Sequence, residues 1–146
     1  MNPAYYDSNY LLKLQIAEAG STDVRAHAAT VLEIHTAQHA RAEFASAAFR
    51  KVREGVATAA DFQRLIAQLR SDIAATTVAL LPLTDAILDR VESVFATAPA
   101  ATYLRAADAL HLATAAENGF TEIYSNDKHL LAAAPLFGLH GVNVIP

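Results

Sequence analysis

Hydrophobic positions along this chain alternate between two rhythms: short apolar runs of strand character and longer stretches with a helical period. PAYYD at 3–7 is apolar and aromatic, ends in an acid and predicts a strand. SNYLLKLQIAEAG follows, carrying Leu11, Leu12, Leu14 and Ile16 up to Gly20, and predicts a short helix with a C-terminal glycine. A second helix is expected from about Thr22 to Ala29, and the alternation in TVLEI predicts a second strand over 30–34.

From about Thr36 to Glu54 the pattern predicts a helix closed by Gly55, with Ala42, Ala45, Phe49 and Val52 as its apolar face. Thr58 and Asp61 make a capping signal for a helix reaching Asp72, with Phe62, Leu65, Ile66, Leu69 and Ile73 at helical spacing. VALLPL at 78–83 predicts a third strand. Thr84 then caps a helix with Ile87, Leu88, Val91, Val94 and Phe95 on one side, ending near Pro99. A further helix is expected over 102–117, just before Gly119. TEIYSND reads as a strand running into an acid, KHLLAAA as a short helix stopped by Pro135, and VNVIP as a terminal strand. Strands alternating with helices predict an α/β fold, a mostly parallel central sheet with helices on both faces, as one domain over 1–146.

Composition agrees with one compact domain: 146 residues, 53% hydrophobic and 18% charged. No apolar run approaches the roughly 18–20 residues of a membrane helix, so no membrane association is expected. The start, MNPAYYDSN, lacks a basic region followed by an apolar one, so no secretory signal is expected. The absence of cysteine excludes disulfides and thiolate metal sites and agrees with a cytoplasmic location.

Within RAADALHLATA, Asp108 is one carboxylate in an Ala- and Leu-rich helix, one turn from Leu104, Arg105, His111 and Leu112. It is a tolerated half-exposed acid, a member of a buried Arg105–Asp108 pair, or part of a site assembled from distant segments. In an open parallel sheet, ligands bind beyond the carboxyl ends of the strands. Asp7 closes the first strand, Asp127 follows the strand at 121–125, and Glu43 lies in the first turns of the helix after the second strand. With Asp108, four carboxylates from four segments can meet at one sheet edge. Each also has a plainer role: Asp7 and Asp127 as helix caps, Glu43 as a partner of Arg50 or His39, and His111 as a core-edge histidine. Clustered carboxylates need cations or protons to neutralise them, and oxygen-only ligands suit Mg²⁺ or Mn²⁺. Such a site serves metal-assisted phosphodiester hydrolysis.

Net charge does not decide the substrate. The chain is −4, with 15 acids against 11 basic residues, so committing four acids to a metal leaves the remainder balanced. The basic residues, Arg41, Arg50, Arg53 and Arg105 among them, form no single stripe along the sequence.

YYDSNYLLKL, HARAEFASA, YLRAADALHLATAAENG and IYSNDKHLLAAA together resemble, in order and over nearly the whole chain, the four blocks of a PIN domain, closest to the VapC-type toxin ribonucleases. Asp7, Ser8 and Asn9 match the first block, and Glu43 supplies the helix acid of the second. Asp108, Ala109, His111, Leu112 and Ala113 match the third; Ser125, Asp127 and Leu130 match the fourth, with Ser125 where threonine is common. The resemblance implies an endoribonuclease that binds Mg²⁺ or Mn²⁺ through Asp7, Asp108, Asp127 and Glu43, the same four acids being catalytic. Asn9 and Ser125 would steady those acids by hydrogen bonds. It further implies an RNA substrate, a homodimer, and an antitoxin partner in a type II toxin–antitoxin pair.

Three alternatives compete. A haloacid-dehalogenase-like phosphatase needs a second Asp where Asn9 stands, and a phosphoacceptor receiver needs an acceptor Asp on a central strand, which VALLPL lacks. A PIN-fold protein-binding scaffold without nuclease activity is the remaining one, and it has no need of four mutually repelling carboxylates.

Overall fold

The computed structural model describes all 146 residues. Strands β1 (Ala4–Tyr5), β2 (Ile34–Ala37) and β3 (Val78–Leu81) form a parallel sheet with β2 in the middle, Ile34 lying opposite both Ala4 and Val78. Strands β4 (Glu122–Tyr124) and β5 (His140–Val142) form a second parallel pair. A parallel bridge between Tyr6 and Tyr124 joins the two, giving a spatial order of β3-β2-β1-β4-β5 with every strand pointing one way. Parallel neighbours need crossovers, and helices supply them: α1 (Ser8–Gln15), α2 (Ser21–Ala28), α3 (Ala40–Arg53), α4 (Ala59–Ala74), α5 (Asp85–Thr97), α6 (Ala106–Glu117) and α7 (Lys128–Ala133).

The α/β architecture with helices on both faces is as the alternation implies. Successive strand residues point to opposite faces, so β1 sends Tyr5 into one core and Ala4 into the other, with Tyr6 following Ala4. Tyr5, Ala37 and Ile123 meet α5, α6 and α7 through Ile87, Leu112 and Leu130. Ala4, Tyr6, Ile34 and Val78 meet α1 to α4 through Leu11, Val24, Phe44 and Leu69.

Several boundaries differ from expectation. The second strand is Ile34–Ala37, not 30–34, so the helix predicted from Thr36 begins at Ala40. A strand covered on both faces has no solvent side to keep polar, so IHTA carries no alternation for the eye to find. His39, the N-cap of α3, offers no side-chain cap, so nothing in the sequence marks that start. The buried face of α3 is Ala40, Phe44 and Ala48, while Phe49 is 56% exposed. On an alanine-rich helix the apolar stripe is too weak to set the rotation. On α5, likewise, only Ile87 is buried, and Leu88 and Phe95 are exposed. α6 begins at Ala106 because Arg105 is extended, which puts Asp108 in the first turn. Pro135 does not end the chain's turning but enters a 3-10 turn over Ala134–Phe137.

The last strand is His140–Val142 and not 142–146. Beyond it the Tyr10 hydroxyl donates to Asn143 Oδ1 (2.8 Å) and accepts from the Val144 amide (2.9 Å), drawing the terminus onto α1. Gly141 lets α7 lie against β5. A Cβ there would stand 2.8 Å from Leu131 Cδ2 and 3.0 Å from Leu131 Cα. We expect Gly141→Ala to lower stability by roughly 1–3 kcal/mol through overpacking, read as a shift in the urea midpoint; an unchanged midpoint would mean that α7 is free to shift outward.

Candidate active site

Parallel strands with helical crossovers bring helix N-termini to the carboxyl edge of the sheet. Four of them meet here, and each carries one of the four acids. Asp7 is the N-cap of α1 and Asp127 the N-cap of α7. Glu43 and Asp108 lie in the first turns of α3 and α6. The positive ends of the helix dipoles offset part of the repulsion among the carboxylates. All four line one open cleft of about 660 Å³, together with Ser8, Asn9 and His111.

The capping and clustering readings of Asp7 and Asp127 hold at the same time. Asp7 is 3% exposed; its Oδ1 accepts from the Tyr10 amide at 3.0 Å and its Oδ2 from the Ser125 hydroxyl. Ser125 Oγ in turn accepts from the Asp127 amide at 2.9 Å, tying the ends of β1 and β4 together. Asp127 Oδ1 accepts from the amides of His129 (2.8 Å) and Leu130 (3.3 Å). Asn9 lines the cleft but is exposed and hydrogen-bonds none of the four acids.

Burial pushes the Asp7 carboxyl up to about 6, against the pull of its bonds from Ser125 and Tyr10. Burial also raises Asp108, and the neighbouring charge of Asp127 adds to it. Asp108 Oδ2 is buried and has no hydrogen-bond partner, and the Arg105 guanidinium is 3.8 Å away on a side chain that is 67% exposed. The Arg105 pairing is therefore a loose surface contact and does not satisfy that oxygen.

Glu43 is held differently. Its Oε1 lies 2.5 Å from His111 Nε2 and 3.2 Å from His39 Nε2, while Arg50 faces Glu54 instead. Burial alone would raise this carboxyl, but the His111 hydrogen bond and the proximity of His111, His39 and Arg105 bring it below its ordinary value. His111, read from sequence as a possible core-edge residue, is 1% exposed and bonded on both sides, with Nδ1 2.7 Å from the Tyr5 hydroxyl. Sequence reasoning left out Tyr5 altogether. Its one signal was position, two residues before Asp7 and inward on the opposite face from Tyr6. His111 also lies one helical turn after Asp108, on the same face.

The cleft also gathers cations. Glu43, Ser46, Arg50 and Arg53 run down one side of α3, and Arg105 stands opposite beside Asp108. A stripe absent from the linear sequence is made by helix periodicity and by the approach of α6. By residue type the carboxylates of Asp7, Asp108, Asp127 and Glu43 lining the cleft suit a hard divalent cation, with no thiolate and one buried oxygen without a partner. The ligand atoms that lie within 4.8 Å of one another, however, are those of His39, Glu43 and His111.

Among solved structures, a chain in the crystal structure of VapBC2 from Rickettsia felis bound to a DNA fragment from their promoter is similar. It aligns with a TM-score of 0.65 at 10% identity, over 97% of this chain and 98% of that one. None of the curated proteins matches. The family model of the PIN domain matches residues 4–135, from the start of β1 to the turn after α7, and the chain accordingly belongs to the PIN domain family.

Proposed function

We propose that this protein is a Mg²⁺- or Mn²⁺-dependent endoribonuclease, with the whole of 1–146 as its PIN domain, acting as the toxin of a type II toxin–antitoxin pair. The observation that carries the reading is the buried, unpartnered Asp108 oxygen in a cleft lined by three more acids from other helix N-termini. A binding scaffold gains nothing from that arrangement, since an unsatisfied buried carboxylate oxygen costs stability. The terminal strand and Ile145, which packs over Gly20, support taking the domain to the end of the chain.

Asp7, Asp108 and Asp127 would hold the cation directly or through water, with Glu43 completing the set. When bound there, the ion supplies a Lewis acid for the phosphate and lowers the pKa of a water. Arg50, Arg53 and Arg105 hold the flanking phosphates of the strand. Glu43 orients the attacking water and accepts its proton. Ser125 keeps Asp7 and the Asp127 backbone in register. Water attacks phosphorus in line, the bond to the 3′-oxygen breaks, and that oxygen takes a proton from solvent and leaves as a hydroxyl. The products carry a 5′-phosphate and a 3′-hydroxyl. An open sheet-edge cleft favours single-stranded or looped RNA, whose backbone can be splayed into it.

The VapBC2 likeness supports an antitoxin partner for this chain; the toxin reading adds a homodimer and a cytoplasmic location as part of the proposal. No helix is long and apolar enough to cross a membrane. Incubating the purified protein with structured RNAs and Mn²⁺ is expected to give cleavage that EDTA abolishes. Cleavage that survives EDTA, or 2′,3′-cyclic ends among the products, would overturn the mechanism.

A further inference from the structure

Three of the four acids take their hydrogen bonds from the backbone or from Ser125, or take none. Glu43 alone is held by imidazoles, and the chain of contacts behind it runs into the core. The Tyr5 hydroxyl lies 2.7 Å from His111 Nδ1, and His111 Nε2 lies 2.5 Å from Glu43 Oε1. Proton roles along this chain follow from chemistry. An ionised carboxylate only accepts, so His111 Nε2 carries a proton. When the ring carries only that proton, Nδ1 accepts from the Tyr5 hydroxyl, whose pKa burial pushes well up. His39 Nε2 faces the Ala107 carbonyl at 3.1 Å, an acceptor only, so it carries a proton and donates it there, while the same nitrogen lies 3.2 Å from Glu43 Oε1. One imidazole N–H therefore bonds Glu43 Oε1, with the His39 ring close beside it. Glu43 Oε2 has no protein partner, and Glu43 lines the cleft.

We propose that His111, fixed as its Nε2–H tautomer by Tyr5, is a positioning residue that anchors Glu43 through Oε1 and presents Oε2 to the cleft. This rests on the nuclease reading of the cleft. Glu43 sits on a long, rotamer-rich side chain near the start of an exposed helix face, where a free carboxylate would sample several directions. A ring locked in the core removes that freedom, as partners behind metal-site ligands commonly do. The ring is also rigidly seated, edge-on to Tyr5 and 4.3 Å from His39 centroid to centroid.

A merely structural role would be met by any side chain that fills the volume, whereas positioning needs an N–H at the Nε2 site. The test compares His111→Leu, which fills without donating, with His111→Gln, whose amide reaches Glu43. Both are checked for folding by thermal melting. His111→Leu is expected to lose roughly 10–100-fold in kcat with KM for RNA unchanged, and to bind Mn²⁺ more weakly by calorimetry. His111→Gln is expected to restore most of both. In a Glu43→Gln background, His111→Leu should add no further loss, because its effect passes through Glu43. In the metal-free wild type, nitrogen NMR of the ring should report the Nε2–H tautomer, and Tyr5→Phe should weaken that preference.

Equal activity and Mn²⁺ affinity in the Leu and Gln variants, an added loss in the Glu43→Gln background, or an Nδ1–H tautomer would each overturn the proposal. A wild type that cuts no RNA with Mn²⁺ would instead sink the nuclease reading and the role with it. The hydrogen-bond chain is still judged by the tautomer, which needs neither metal nor RNA.

Discussion

Asp108→Asn is expected to abolish RNA cleavage, with a loss on the order of 10³-fold or more, the scale of removing one centre that stabilises transition-state charge. The metal-free fold should meanwhile stay as stable or become more so. Activity is lost because the only buried carboxylate oxygen in the cleft without a protein partner belongs to Asp108. An amide there offers a neutral, weaker ligand. Stability moves the other way because burial, and then the charge of Asp127, hold the Asp108 carboxyl above its ordinary value, so its ionised form disfavours the folded state at neutral pH. The contact that could reverse this is Arg105 at 3.8 Å, but its side chain is 67% exposed. Such a pair contributes about 0–1 kcal/mol. Melting both proteins in EDTA decides the matter: a clear drop in Tm for the Asn variant would make the Arg105–Asp108 pair structural.

Asp7→Asn should give the largest pH-dependent change in stability. The folded Asp7 carboxyl is pushed up to about 6 from an ordinary 3.8. A raised acid stabilises the fold only while protonated, so its contribution is fully present below about pH 4 and is lost as pH rises through about 6. A shift of that size corresponds to about 3 kcal/mol as an upper figure. Asparagine keeps the amide cap from Tyr10 through its carbonyl oxygen and carries no charge, while its Nδ2 donates to Ser125 Oγ in place of the bond that Oδ2 accepts. Without metal, the Asn variant is therefore expected to be more stable by roughly 1–3 kcal/mol at pH 8. A difference of that order raises Tm by about 2–4 °C per kcal/mol in a chain of this size. At pH 4 the two proteins should melt together. Saturating Mn²⁺ should close or reverse the gap at pH 8, since ligand binding adds about 2.7 kcal/mol at a hundredfold excess over Kd. A stability difference that does not vary with pH would show that burial of the Asp7 charge is not its cause.

How much of this could be read from the chain differs from element to element. The capping box at Thr58 and Asp61 forms as the local sequence implies, and so do the caps at Asp7, Thr84 and Asp127. These are short-range hydrogen bonds whose partners lie within three residues, so sequence spacing specifies them. The second strand lies four residues later than local alternation predicts because its pairing with β1 and β3 is long-range and both of its faces are covered. The buried face of α3 differs from the one the pattern predicts because alanines do not distinguish one side of a helix from another, and Phe49 stands in solvent. The terminal strand ends at Val142, earlier than the pattern predicts, because Tyr10, more than 130 residues away, captures the segment that follows it.

The candidate site divides along the same line. The four acids were legible because each sits at a strand end or in a first helical turn, and a parallel sheet sends all such points to one edge. By itself, then, the sequence determined the alternating architecture, the caps and the four carboxylates, each set by local periodicity or by an oxygen within reach of its own helix. Only the tertiary structure decided that Arg50, Arg53 and Arg105 share the cleft with those acids, and that Glu43 hangs on His39, His111 and Tyr5. Those contacts join residues up to 106 positions apart, and a long-range contact leaves no local period, because burial and hydrogen bonding act across space once the chain has closed.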